Sequence, residues 1–417
     1  MPRFTAFSSS AVLVLAAASV LAMEASAQSI QPRRPIAVSS GYFSSMKKVT
    51  GYTSSNKLPG STSSAAQNQD PRIVSVPTFT RSFTYNKVAY PYTMVGQQPS
   101  SQTTTVVPTQ YVPLSFFFDE YVDQNGNNIT IDATAISNEI RNSPLFQPSS
   151  YATGFTQFVD AQMRAEFYNL FNSGFGPSLF GGFHVLLGQP STLIPVSIEV
   201  PVGSAVVFVD PNGNYFALMD INFIVSQLNT LAQTEPINVY SLPIFLTRNA
   251  VYGDFNAGAP LDCCIGGFHT AFQTNQTANQ IFIQLFAFAT SLDPDVAAAI
   301  FGDPAVFADV NALSHEIAET LNDPFINNIT PNYQLPGAPA GTCQNNLEVG
   351  DVVENLMPDY TTITMNGFSY HPQTLGLLQW FEGISPSNAI NGDYSFPDPT
   401  KLRSPFTPCP TATSAAH

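Results

Sequence analysis

Three titratable side chains fall within five positions, His315, Glu316 and Glu319, and Pro324 follows shortly after. Around them Val310, Leu313, Ile317 and Leu321 recur at helical spacing, which predicts a helix from about residue 309 to 322, stopped by the proline. Positions four apart on a helix differ by about 40° around its axis, so His315 and Glu319 project from one side. There an imidazole nitrogen and a carboxylate oxygen can share a divalent cation. Glu316 sits about 100° further round, where it can act on a water rather than on the ion. The plain alternative is a solvated face carrying an i,i+4 ion pair. Only 10% of the 417 residues are charged, so three such groups close together are unlike surface filler.

The elements that must position this helix are legible from about residue 108 onward. Residues 113–119 read as a strand and 123–128 as a turn. Residues 156–171 have helical spacing, 183–202 suggest strands, and 206–218 read as a hairpin turning at Asn212 and Gly213. Residues 221–232 follow as helix, with buried strands at 238–246 and 281–289 and a shorter strand at 267–272. The expected fold is therefore an α/β (α+β) body with a mixed sheet and an active-site helix. The helix itself has the HExxH logic of zincin metallopeptidases with Glu319 in place of the second histidine, so a zincin-like body over residues 111–417 is expected.

The N-terminal part has a different texture. Arg3, the apolar run 11–23 and the small residues Ala25 and Ala27 form a signal peptide over residues 1–27, with the mature chain starting near Gln28. Residues 28–110 are rich in Ser, Thr, Pro and Gln and strongly basic, and are expected to be a low-complexity, disordered stalk. The whole chain carries a formal charge of −15, which excludes an electrostatic grip on nucleic acid. After signal cleavage no apolar run is long enough for a transmembrane segment. Export permits disulfides among Cys263, Cys264, Cys343 and Cys409. The adjacent pair is poorly placed to bond to itself, so each of Cys263 and Cys264 is expected to join Cys343 or Cys409.

Several short motifs stand in a fixed order along residues 263–380: the cysteine-led stretch ending at His269, then His315–Glu319, Asp323–Asn327, Glu348–Asp351, Met365–Gly367 and Leu378–Trp380. Together they resemble the phosphate-induced/exordium-like family of secreted proteins. The departures are Asp323 where the family has Asn, Val349 and Gly350 where it has Ile-Ala, and a different cysteine spacing. The resemblance implies an extracellular or cell-wall location. It also adds Glu348 as a third metal ligand and Asp351 as a fourth, or as a group holding His315. His269, on a strand beside the helix, is expected to stabilise an oxyanion or complete the metal shell. His184 and His371 are read as structural, and Met365 as a core residue.

One histidine with several carboxylates is a hard, anionic ligand set, so Mn²⁺, Ca²⁺ and Mg²⁺ compete with the expected Zn²⁺. No nucleophile elbow, phosphate-binding loop or dinucleotide fingerprint is present in the sequence. Two functions follow as expectations. One is a secreted metal-dependent hydrolase, a metallopeptidase in which Glu316 activates water. The other is a non-catalytic wall- or matrix-binding protein with a structural metal or none. Their partners are respectively a peptide and a wall polymer.

Overall fold

Apolar strands buried on both faces build the centre of the fold. The computed structural model describes residues 33–38, 42–43, 46–48, 73–74, 76–169, 182–277 and 280–410. In it Thr109–Val122, Leu242–Arg248 and Gln280–Ser291 lie side by side as parallel strands. Gly267–Thr277 ends the row as the antiparallel partner of Gln280–Ser291. Val196–Val200 runs parallel, and Asn128–Asp132 antiparallel, to the long first strand.

Side chains alternate across a strand, so Leu285, Ala287 and Ala289 point to one face while Phe286 and Phe288 point to the other. The first face packs the helix Asn311–Asn322 through Leu313, Ile317 and Leu321. Burying each of these three contributes roughly 1.5–3 kcal/mol. The second face packs the helix Ile221–Thr234, whose first turn is capped by Asp220 accepting from the Asn222 N–H at 2.9 Å. The result is a mixed α/β structure rich in strands. Among the described residues no helix is long and apolar enough to cross a membrane.

Most expected elements are present with shifted ends. The hairpin is Ala205–Val209 against Tyr215–Asp220, and the helix near residue 156 is Phe158–Glu166. Residues 1–27, where a signal peptide is expected, and much of 28–75 lie outside the described residues. The remainder of the expected stalk is folded. Thr78–Tyr85 and Val88–Val95 pair as an antiparallel hairpin, and Phe79, Phe83, Tyr92 and Met94 enter the main core. Its two-residue turn, Asn86 and Lys87, has positive φ at both positions, the twist that tight hairpins need. A few aromatic residues at alternate positions thus outweigh the Ser/Thr-rich average composition.

The cysteine expectation is also corrected. Cys263 pairs with Cys264, and Cys343 with Cys409, whose Cα atoms are 6.0 Å apart. The second pair ties the strand Cys343–Asn346 to the C-terminal tail, in the same region where Tyr333 bridges to Pro408. The first pair sits at the start of the edge strand, where nothing brings either thiol to the tail.

Candidate metal centre

The helix Asn311–Asn322 is buried almost all round, so its titratable face looks into the protein rather than into solvent. It ends where Asp323 precedes the proline; the Asp323 carboxylate then accepts from the Asn327 and Asn328 N–H groups at 2.9 and 3.1 Å. Asn328 in turn bonds Thr93 through both its amide oxygen and its amide nitrogen, which fastens the N-terminal hairpin to the end of the site helix. The edge strand reaches the helix at its start: Gly267 pairs with Ala289 and His269 with Ala287. An added Cβ at Gly267 would lie 2.7 Å from Glu316 Cγ, so only glycine permits this approach.

His315 is oriented by a glutamine. Gln373 Nε2 donates to the Gly350 carbonyl at 2.9 Å, which turns its Oε1 toward His315 Nδ1 at 2.7 Å. A proton therefore sits on Nδ1, and in the neutral ring Nε2 presents a lone pair. That lone pair faces Glu319 Oε2 at 3.0 Å and Asp351 Oδ1 at 3.6 Å. Lone pairs on nitrogen and carboxylate oxygen repel at this distance unless a proton or a cation lies between them.

His269 repeats the arrangement from the strand. Its Nε2 is 3.1 Å from the Asp323 carbonyl, and its Nδ1 is 3.5 Å from both Glu316 Oε2 and Glu319 Oε2. Two sets of ligand atoms result, each within 4.8 Å of one another: His315, Glu319 and Asp351, and His269, Glu319 and Glu348. These buried groups could hold a metal ion.

The carboxylates share a pattern. Glu319 Oε1 accepts from the Gly350 and Asp351 N–H groups at 3.0 and 3.2 Å. Asp351 Oδ2 accepts from Gln344 at 2.7 Å, and Glu348 Oε1 from Asn346 at 3.1 Å. Each acid thus has one oxygen held by donors and the other turned inward. Glu348 Oε2 is buried and receives no hydrogen bond.

Electrostatics agree with a site made for positive charge. Burial, and then the negative charge of Glu319, hold the Glu348 and Asp351 carboxyls well above their usual range. For His315 burial alone would lower the pKa, but the Glu319 and Glu316 carboxylates outweigh it and raise it well above the ordinary value. Glu319 is lowered to about 2, since the imidazole of His315 overcomes its burial. Burial raises Glu316. In isolation the cluster balances its negative charge with protons, which a divalent cation would replace.

A pocket opens beside the helix, lined by Cys264–Gly267, Phe307, Ala312, His315, Glu316, Asp351, Glu354, Asp359 and Gln373. The set with His315 and Asp351 therefore borders the pocket, whereas His269, Glu319 and Glu348 lie behind it. Two sequence expectations shift accordingly. Glu348, expected beside His315, is grouped with His269, because the chain turns between Glu348 and Asp351 and sends the two acids to different imidazoles. His269, expected to stabilise an oxyanion or complete the metal shell, lies in the second of the two sets that could hold an ion.

Gln373, Gln344 and Asn346 were missed altogether, since isolated uncharged amides in a loop or a short strand give no spacing signal. His184 and His371 each pair with one aspartate away from the cluster, Asp160 at 2.8 Å and Asp309 at 2.7 Å. No family model matches the chain, and neither curated proteins nor solved structures give a significant match.

Proposed function

We propose that the protein is an exported, metal-dependent hydrolase with a zincin-like body, using the pocket beside the Asn311–Asn322 helix. The observation that carries this reading is the contact of His315 Nε2, on the wall of a pocket, with the buried Glu319 Oε2 at 3.0 Å, a nitrogen and a carboxylate oxygen between which a cation can replace a proton. His315, Glu319 and Asp351 would hold the ion, with Zn²⁺ or Mn²⁺ as the candidates that suit one imidazole and two carboxylates. A cation there supplies Lewis-acid polarisation of a carbonyl oxygen.

Glu316 borders the same pocket and takes a proton from the attacking water. Its pKa, raised by burial, favours passing that proton on to the leaving group. Gln373 keeps the His315 ring turned with Nε2 inward. An amide in an extended peptide is the proposed substrate, because an extended chain adds naturally to a strand edge and Gly267–Thr277 ends the sheet beside the helix. The motif order shared with exordium-like proteins supports an extracellular location.

A second reading, a wall- or matrix-binding protein with the metal as a staple, is favoured by the deep burial of Glu319 and Glu348, 3% and 1% exposed. Glu316→Gln separates the two. Catalysis requires that the variant keep its metal and lose hydrolysis of a casein or mixed-peptide substrate by at least about 100-fold. Equal or absent hydrolysis by both proteins at full metal loading favours the staple.

A further inference from the structure

We propose that the centre holds two divalent cations bridged by Glu319, an outer one at the pocket and an inner one behind it. This rests on the metal-dependent reading above and extends it.

The two ligand sets share only Glu319. Its Oε1 is committed to the backbone N–H groups of Gly350 and Asp351, so bridging falls to Oε2. Both imidazoles converge on that atom, His315 Nε2 at 3.0 Å and His269 Nδ1 at 3.5 Å. Neighbouring ligand atoms around a cation with bonds of about 2.1 Å stand roughly 3.0 Å apart in an octahedron and 3.4 Å in a tetrahedron. Outside, the distances from His315 Nε2 to its two carboxylates, 3.0 and 3.6 Å, fall close to these edges. Inside, His269 Nδ1 stands 3.5 Å from Glu319 Oε2, while its Nε2 is held by the Asp323 carbonyl at 3.1 Å.

An independent mark of the inner site is Glu348. Its Oε2 is buried, receives no hydrogen bond and belongs to the inner set. A carboxylate oxygen left in that state costs stability unless a cation or proton meets it. Only the outer set borders the pocket. The outer ion therefore meets substrate, while the inner ion neutralises the buried acids and fixes the position of Glu319. Two-metal hydrolytic centres hold their ions about 3.5–4 Å apart, a spacing that one shared oxygen supports.

The test is metal stoichiometry on the full secreted chain, loaded with Mn²⁺ and freed of excess, with electron paramagnetic resonance on the same sample. Two ions per chain and a spin-coupled spectrum are expected. Glu348→Gln, which keeps size and shape, should bind one ion with the coupling lost, and Asp351→Asn likewise one. The wild-type spectrum stands even if a variant does not fold. One uncoupled ion per wild-type chain, lost in Asp351→Asn and kept in Glu348→Gln, overturns the second site and leaves the single-ion reading intact. No bound ion overturns both.

Discussion

Gly350→Ala tests the orientation of His315 without replacing a ligand. The added Cβ would lie 2.6 Å from both Cγ and Nδ1 of the His315 ring and 2.8 Å from Cε1. Gly350 has φ −80°, a conformation alanine accepts, so the effect is steric rather than a backbone penalty. The N–H to Glu319 is retained. The ring cannot yield freely, because Nδ1 is bonded to Gln373 at 2.7 Å and the helix beneath it is anchored by Leu313 and Ile317. Relief to ordinary contact requires the ring to move by nearly an ångström.

Overpacking of this kind costs about 1–3 kcal/mol. Where the strain is released by displacing His315 from the outer ion, the expected loss in affinity is roughly 10- to 100-fold, at about 1.4 kcal/mol per factor of ten. Competition against a chromophoric chelator measures it, and a thermal melt of the metal-free protein shows how much strain the fold absorbs instead. Unchanged metal affinity together with an unchanged melting temperature would refute the placement of His315 against Gly350.

Gln373→Leu removes the oxygen that fixes the His315 tautomer, and metal affinity should fall about 10- to 100-fold while circular dichroism stays as in the wild type. Glu166 gives a pH prediction away from the metal ligands: burial raises its carboxyl to about 8. A raised acid holds its proton better in the folded chain, so its stabilising effect is complete below the unfolded value near 4.5. That effect fades as pH climbs toward 8. Denaturant melts between pH 4.5 and 8 should lose up to a few kcal/mol, and Glu166→Gln should flatten that decline; a decline of equal slope in the variant assigns it elsewhere.

The site helix was legible because a 3.6-residue apolar period and a terminal proline are local signals, and both survive in the Asn311–Asn322 helix packed through Leu313, Ile317 and Leu321. The parallel strands were legible as apolar runs for the same reason. The hairpin at 78–95 was not, since its buried aromatics alternate with Ser, Thr and Arg, and Asn86 with Lys87 lacks the glycine that usually betrays a tight turn. The division of the acids was equally hidden. Glu348 and Asp351 are three residues apart, yet the turn between them sends one to His269 and the other to His315. Nothing local encodes which imidazole each will meet, because that depends on how the sheet, the helix and the Cys343–Asn346 strand dock together.

The most direct measurement is an anomalous-difference map from crystals of the full chain grown with Zn²⁺ or Mn²⁺. A peak is expected about 2.0–2.3 Å from His315 Nε2, Glu319 Oε2 and Asp351 Oδ1 together. A fully loaded crystal with its strong peaks elsewhere, and His315 Nε2 bonded instead to a protonated carboxyl, would contradict it.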